Sequence, residues 1–259
     1  MDVDRVRALF DRRLRREAPP DEPGAVRERV GDVVWQTSRH GGWNGVVWSG
    51  CASGAAADLA IAETLRHFGA LGLPFEWKHY AHDQPADLAD RLRAAGFRAQ
   101  EPETLMVAEV AALDREPVWP AGVSVREITD PAGLGPVLAL HHRVFGGDQE
   151  SLGRRLAAQL REAPELTRLL LVEAGELPVC AARLELIPGT GFGGLWGGGT
   201  LPEWRGRGLY RALVAHRAAL ATAAGCRYLQ VDAVAASRPI LRRLGFTPLT
   251  VTTPYLSPG

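Results

Sequence analysis

The stretch LPEWRGRGLYRALV, residues 201–214, joins a strand-like run that ends at Leu201 to the start of a helical pattern. An arginine and glycine loop, Arg205-Gly206-Arg207-Gly208, lies between them. A glycine turn that leads directly into a helix presents the free N–H groups of the first helical turn, and the helix dipole favours negative charge there. The arginines add charge-assisted donors. The stretch therefore predicts a cradle for an anion such as a pyrophosphate.

This loop differs from two common phosphate-binding motifs. A P-loop requires a Gly-Lys-Ser/Thr sequence, but Lys78 is the only lysine of the chain. The dinucleotide fingerprint requires a third Gly or Ala, where this chain has Arg211. The loop taken alone is therefore also compatible with a protein that binds the phosphates of a nucleotide through a different motif.

From Val123 onward the chain alternates between strand and helix patterns, which predicts an α/β class with a mixed sheet. Apolar residues at helical spacing predict helices over 134–145, over 152–163 and after the glycine loop as far as Gly225. A short helix is predicted between Ser237 and Gly245. The predicted strands are 123–128, 169–174, 179–187, 193–201, 228–234 and the segment that follows Gly245.

The first half repeats the order of elements that ends the chain. Asp83-Gln84-Pro85, a helix and Gly96-Phe97 correspond to Ser237-Arg238-Pro239, a helix and Gly245-Phe246. This repeat predicts two related domains in tandem, residues 1–115 and 121–259, on either side of a linker rich in Pro and Gly. Chance is the alternative, because capping residues and Gly-Phe pairs are common.

The segment TLPEWRGRGLYRALVAHRAALATAAGCRYLQVDAVAASRPILRRLGF, residues 200–246, resembles the core of the GNAT superfamily of acyl-CoA N-acyltransferases. The signature of that superfamily is Arg/Gln-x-x-Gly-x-Gly/Ala, and Arg205 and Gly208 match its first and fourth positions. The resemblance implies a GNAT-type fold, with two GNAT-like domains in tandem. The first domain would be degenerate, because SGCASGAAADLA, residues 49–60, lacks an Arg/Gln-x-x-Gly sequence.

The resemblance also implies a function. A GNAT protein takes acetyl-CoA as co-substrate, without a metal, and moves the acyl group from coenzyme A to an amine by direct attack. Here the acceptor would be a small molecule or a peptide. The strand before the loop would pair with the pantetheine arm and polarise the thioester carbonyl, while the loop would hold the pyrophosphate. The residues carried over as cofactor-binding are Gly199, Thr200, Leu201, Arg205, Gly206, Arg207, Gly208, Leu209, Tyr210 and Arg211.

Two positions depart from the family pattern. Tyr210 stands at the sixth signature position, where Gly or Ala is usual, so its ring must turn away or pack on the cofactor. Leu241 stands where many relatives carry a tyrosine that protonates the leaving thiolate. The missing acid keeps an alternative open, a regulatory or scaffold protein that binds coenzyme A without turnover.

Four side chains outside the loop are candidates for chemistry. Glu185 could act as a general base, or it could be a solvated position of a sheet. Asp232 falls in a strand with a buried pattern, where a carboxylate has either a catalytic role or a structural role as a hydrogen-bond acceptor. Tyr255 could protonate the thiolate or simply pack. His141 lies on the apolar side of its helix, where it could contact the acceptor substrate or belong to the core.

Two clusters in the first half have structural explanations. His79 and His82 lie three apart on a predicted strand, so they point to opposite faces and a shared metal is not expected. Trp43 and Trp48 flank an Asn-Gly pair at Asn44, which predicts a hairpin turn with its packing.

Bulk composition narrows the possible partners. The net charge is zero, which argues against nucleic acid and anionic membranes as partners. No run of about 18 apolar residues is present, and the N-terminus lacks the pattern of a signal peptide. The cysteines, Cys51, Cys180 and Cys226, follow no metal or disulfide spacing, so a cytoplasmic protein with free thiols is expected. A homodimer stays open.

Overall fold

The computed structural model describes residues 1–38, 42–147 and 149–259. Its first half begins with a helix that continues as a π-helical turn over Asp11–Arg16. The elements of this half are α1 (Val3–Phe10), β1 (Val26–Val30), β2 (Val33–Thr37), β3 (Gly45–Ser49), α2 (Gly54–Leu71), β4 (Glu76–Tyr80), α3 (Leu88–Ala94), β5 (Arg98–Ala99) and β6 (Glu103–Glu109).

The second half contains the strands and helices that the sequence pattern predicts, with boundaries shifted by a few residues. These elements are β7 (Ser124–Ile128), α4 (Leu134–Phe145), α5 (Gln149–Glu162), β8 (Thr167–Ala174), β9 (Leu177–Ile187), β10 (Phe192–Thr200), α6 (Leu209–Ala223), β11 (Tyr228–Ala233), α7 (Arg238–Arg243) and β12 (Thr247–Leu256).

The chain folds into two compact units. Unit 1 comprises Met1–Met106, Asp232–Arg238 and Pro248–Gly259, and unit 2 comprises Val107–Val231 and Pro239–Thr247. Nearly all of β12 thus belongs to unit 1, because this strand pairs antiparallel with β4 from Thr252↔Tyr80 to Leu256↔Glu76. The C-terminal strand is therefore distant in sequence from the unit that it completes.

Unit 1 is a mixed sheet in the order β1-β2-β3-β4-β12. Its neighbouring strands are antiparallel except for β3 and β4, which are parallel. Trp77 and Phe68 are fully buried in its core. The N-terminal helix buries one face, with Val6 and Phe10 only 3% and 4% exposed.

The predicted Asn-Gly hairpin turn at Asn44 is wrong. Gly45 is already inside β3, where it pairs with Gln36 on one side and Glu76 on the other. A Cβ atom at Gly45 would lie 2.1 Å from the carbonyl oxygen of Glu76, so the close approach of two strands requires this glycine.

Unit 2 is a mixed sheet in the order β11-β10-β9-β8-β7, in which only β11 and β10 are parallel. Successive residues of β8 point to opposite faces. Leu169 and Leu171 join a core with α4 and α5, whereas Leu170 and Val172 join a core with α6. Both faces are therefore covered by helices, as in the predicted α/β class.

The two units share one local arrangement. In each unit two parallel strands are joined by a loop and a long helix: β3, α2 and β4 in unit 1, and β10, α6 and β11 in unit 2. The expected tandem architecture is confirmed in this repeated arrangement.

Candidate active site

The two parallel strands of unit 2 separate from each other part-way along. β10 pairs with β11 only at Phe192, Gly193 and Gly194 within the described residues. On its other side β10 stays paired with β9 as far as Thr200, which pairs with Cys180. The edge of β10 beyond Gly194 can therefore accept an extended ligand in place of a strand.

A bulge of three glycines follows in β10, where the register with β9 shifts between Trp196 and Gly199. Gly197 has a φ of +58°, and a Cβ atom there would lie 2.8 Å from the His141 ring. A Cβ atom at Gly198 would lie 3.2 Å from the ring of Tyr210, and one at Gly199 would lie 2.8 Å from the ring of Phe145. Side chains of α4 and α6 thus pack directly on the backbone of the bulge.

The loop after β10 delivers the chain to an uncapped helix. Gly206 and Gly208 have φ values of +75° and +87°, in the left-handed region that favours glycine. Gly208 is the N-cap of α6 and offers no side chain to the first-turn N–H groups. Those N–H groups are donors aimed at the loop, which suits an anion.

Arg205 braces this loop against the strand that precedes it. Its Nε donates to the carbonyl oxygen of Thr200 at 3.2 Å, while the residue remains exposed. Arg207 lies over the ring of Trp204 at 4.4 Å and donates to the carbonyl oxygen of Glu203. Arg211 is exposed as well. Three exposed arginines therefore lie in the loop and at the start of α6.

Leu201 and Leu209, at the two ends of the loop, are 0% and 1% exposed. Their side chains belong to the core on either face of the sheet. Only their backbone groups can face a ligand, and the Leu201 N–H already donates to Val179.

Tyr210, the residue that departs from the family signature, packs on the bulge. Its ring lies against Gly198 from the α6 side. Burial raises the pKa of its phenol, so the phenol stays protonated at neutral pH. The tyrosine ring at the sixth signature position therefore packs on β10 and supports that strand.

His141 is 3% exposed and does not present its ring to solvent. Its Nε2 lies 3.1 Å from the carbonyl oxygen of Gly197. Burial, followed by the charge of Arg183, lowers the pKa of the imidazole, so the ring is neutral near pH 7. The expectation that His141 touches the acceptor is not supported by this burial, since the ring contacts the strand instead.

Glu185 forms an ion pair within β9. Arg183 Nε donates to its carboxylate at 2.7 Å, and the two side chains are 8% and 16% exposed. The carboxylate is engaged by a buried guanidinium, and this geometry argues against Glu185 as the general base.

Asp232 lies on β11, two residues beyond Gln230, the last residue paired to β10. Its side chain is 3% exposed, and Oδ2 accepts from Lys78 Nζ at 2.5 Å. Its Oδ1 atom is buried without a hydrogen-bond partner in the described part of the chain. Because a buried polar atom without a partner is costly, Oδ1 is a candidate acceptor for a ligand N–H.

Glu103, at the start of β6, is a titratable group that the sequence did not single out. Burial, followed by the negative charge of Asp232, raises its pKa from 4.5 to about 7. Lys78 and Glu76 are its other charged neighbours. The sequence offered one signal for this charged cluster: Lys78, a neighbour of Glu103, is the single lysine of an arginine-rich chain.

Tyr255 and Leu241 are both buried. Tyr255 is 2% exposed in the core of unit 1, where its ring meets the edge of His79. Its burial among apolar side chains argues against a role as thiolate acid. Leu241, the residue at the usual acid position, is 0% exposed on α7.

The described residues contain no cluster of three or more His, Cys, Asp or Glu side chains with the geometry of a metal site. His82 binds Asp11 at 2.8 Å and Thr250 at 3.1 Å. None of the helices in the described part of the chain has the length and apolar character needed to cross a membrane.

Comparison with known proteins shows which family the sequence around this site resembles. Residues 136–246 match the sequence model of the Acetyltransferase (GNAT) family. No curated protein has a significant match to the chain.

Solved structures extend the similarity to the full length. A GCN5-related N-acetyltransferase from Kribbella flavida has a TM-score of 0.71 at 19% identity, with 100% of this chain and 96% of that chain covered. One from Sphaerobacter thermophilus has a TM-score of 0.63 at 17% identity, with coverages of 90% and 83%. A tandem GNAT protein from the clavulanic acid biosynthesis pathway has a TM-score of 0.61 at 14% identity, with coverages of 98% and 94%.

The family match covers the bulge, the glycine loop and α6, the elements that form the candidate site. The structural matches span both units. Residues 136–246 are therefore similar to the GNAT acetyltransferases, whose general reaction is acyl transfer from acetyl-CoA, and the chain as a whole has a tandem GNAT fold.

Proposed function

We propose that this protein transfers the acetyl group of acetyl-CoA to a primary amine of a small molecule or a peptide. The observation that carries the proposal is the separation of β10 from β11 directly before the uncapped N-terminus of α6. This arrangement offers a backbone edge for an extended arm and N–H donors for a pyrophosphate, in the order in which coenzyme A carries these groups.

The proposed reaction is a single displacement at the thioester. The amine nitrogen forms a bond to the acyl carbon, and the carbon–sulfur bond breaks with its electron pair on sulfur. The nitrogen loses one proton to a protein carboxylate or water, and the thiolate takes one proton from water, because Leu241 offers none. The protein contributes orientation of the two reactants and a donor to the carbonyl oxygen.

We assign the pyrophosphate to the N–H groups that follow Gly206 and to the side chains of Arg205, Arg207 and Arg211. The left-handed backbone at Gly206 and Gly208 leaves open space where a Cβ atom would stand, so a ligand can approach closely. We assign the arm that carries the thioester to the free edge of β10, through Gly199 and Thr200.

We propose that the carboxylate of Asp232, near the end of β11, is the proton acceptor. Asp232 keeps Oδ1 available while Lys78 holds Oδ2.

We further propose that residues 1–115 form a GNAT-like domain that holds no cofactor. The gap between β3 and β4 in unit 1 is filled by the side chain of Arg15, which is 2% exposed. Its Nε donates to the carbonyl oxygen of Val47, the first residue of β3 beyond the two paired with β4. The two segments then meet again in a bridge between Gly50 and Gln84.

The helix end next to this gap is also occupied by the protein itself. Ser53 caps α2 by accepting from the N–H of Ala56 at 3.3 Å. The guanidinium of Arg91 covers Gly54, where a Cβ atom would lie 2.1 Å from Nη2. The gap between the parallel strands and the N-terminus of the helix, which are open in unit 2, are therefore both filled by side chains in unit 1.

A thiol-release assay over a panel of amines, amino acids and peptides tests the function, with the acetylated product identified by mass spectrometry. Arg205→Ala should weaken acetyl-CoA binding about tenfold, since a charge-assisted contact to phosphate is lost. Arg161→Ala, an exposed arginine on α5, is the matched control and should bind as the wild type does.

Two outcomes would contradict the proposal. Equal acetyl-CoA affinity in the Arg205 and Arg161 variants would remove the cofactor assignment. Tight acetyl-CoA binding without transfer to any amine of the panel would favour a binding protein. Thermal stabilisation by ATP or NAD, but not by coenzyme A, would instead indicate a nucleotide ligand.

A further inference from the structure

We propose that His141 is a positioning residue that orients the Gly197–Gly198 peptide, so that the Gly198 N–H becomes the donor to the acyl carbonyl oxygen. The inference rests on the proposed function and deepens it, since it names the group that would polarise the thioester.

The first step concerns the hydrogen on His141. A backbone carbonyl oxygen only accepts, so the contact of 3.1 Å between Nε2 and the Gly197 oxygen requires the hydrogen on Nε2. Burial, followed by the charge of Arg183, lowers the pKa of the ring. The ring is therefore a neutral Nε2–H donor, and α4 holds the Gly197 carbonyl on its own side of the sheet.

The second step follows from the peptide itself. The Gly197–Gly198 bond is trans, so its carbonyl oxygen and its N–H point in opposite directions. With the Gly197 oxygen held towards α4, the Gly198 N–H points away from α4. Because the register with β9 shifts between Trp196 and Gly199, this peptide lies outside the regular pattern of inter-strand hydrogen bonds.

The third step is that the peptide would otherwise be free to rotate. Two consecutive glycines accept many backbone conformations, and Gly197 already adopts a φ of +58°. The ring of Tyr210 supports Gly198 from the α6 side, and Arg183 lies beside Gly197. Packing thus locates the two Cα atoms, while the hydrogen bond from His141 selects the orientation of the peptide between them.

Three variants separate the hydrogen bond from packing. His141→Phe keeps an aromatic ring but removes the donor. His141→Gln offers an amide N–H at the position of Nε2. His142→Phe changes the next residue, which is exposed, and is the matched control.

With acetyl-CoA and a reactive amine, His141→Phe should lower kcat by about 10- to 100-fold, the range expected for a displaced donor. The KM for acetyl-CoA should change less than about threefold, because the pyrophosphate contacts remain. His141→Gln should recover most of kcat, and His142→Phe should match the wild type.

A second measurement does not depend on turnover. In protein labelled with 15N-glycine, the Gly198 amide proton should shift downfield with a ketone analogue of acetyl-CoA and much less with coenzyme A. His141→Phe should abolish the difference, and His141→Gln should restore it.

The inference is overturned if His141→Phe retains wild-type kcat, if His141→Gln is as impaired as His141→Phe, or if the Gly198 amide responds equally to the two ligands. A wild-type protein that acetylates no amine contradicts the proposed function, and the amide shift then still decides the role of Gly198. A loss of folding in His141→Phe leaves His141→Gln and the wild-type amide shift to decide.

Discussion

Arg15 donates its Nε–H to the carbonyl oxygen of Val47 across 3.0 Å, and this contact closes the separated strand pair of unit 1. The same guanidinium forms two bonds of 2.8 Å with the carboxylate of Asp83 and lies 3.8 Å from the centre of the Tyr80 ring. Arg15 Nη1 also donates to Asp11 at 2.7 Å, so this arginine is a part of the core rather than a mobile surface residue. Its fixed position explains why unit 1 repeats the strand arrangement of unit 2 without an open edge.

Replacement of Arg15 should destabilise unit 1 strongly. Arg15→Leu leaves the buried carboxylate of Asp83 without its partner, which costs about 3–5 kcal/mol of unfolding free energy. Urea denaturation should show this loss, whereas Arg12→Leu, at an exposed position of the same segment, should change stability little. The double variant Arg15→Leu, Asp83→Asn should lose less than the sum of the single losses. An additive double variant would contradict the buried pair.

Titration calorimetry should give one acetyl-CoA site per wild-type chain, because Arg15 and Ser53 fill the corresponding positions of unit 1. Gly208→Glu, which puts a carboxylate at the N-terminus of α6, should remove that site. A second site of similar affinity, or a site that survives in Gly208→Glu, would show that unit 1 also holds the cofactor.

Gly208→Ala should weaken acetyl-CoA binding and lower stability by about 1–2 kcal/mol. The cost arises from the left-handed backbone at φ +87°, which an alanine adopts unfavourably, and no atom blocks the added methyl group. Gly69→Ala is the matched control, because Gly69 is helical with open space around it and should gain up to about 1 kcal/mol. Equal effects of the two variants on acetyl-CoA affinity would argue against a role of the loop backbone.

Glu103 should make stability depend on pH in a defined direction. Its pKa is raised from 4.5 to about 7 by burial and by Asp232, so the folded protein binds the proton more tightly than the unfolded chain does. The stabilisation is complete below pH 4.5 and is lost as the pH rises through about 7. Glu103→Gln should remove this dependence, and Glu101→Gln, at an exposed position, should retain it.

Asp232→Asn should move the pH dependence of stability to lower pH. The negative charge of Asp232 raises the pKa of Glu103, so its removal should bring the pKa back towards 4.5. Lys78→Met should move the dependence to higher pH, because the ammonium lowers the pKa of the same carboxyl. Shifts in a common direction for the two variants would contradict this assignment of charges.

The sequence by itself determined the parts of this protein that rest on local chemistry. Glycines at 206 and 208 between a strand and an amphipathic helix were enough to predict the loop, because backbone freedom and free N–H groups are properties of a few adjacent residues. The alternation of apolar patterns likewise predicted the order of strands and helices in the second half.

Only the tertiary structure decided the contacts between residues far apart in the chain. Lys78 and Asp232 stand 154 positions apart, and His141 and Gly197 stand 56 apart. Burial then decided the surroundings of the candidate residues: it paired Glu185 with Arg183, enclosed Tyr255 in a core and raised the pKa of Glu103. The cost of desolvating a charge depends on everything packed around it, and that environment exists only after the chain has folded.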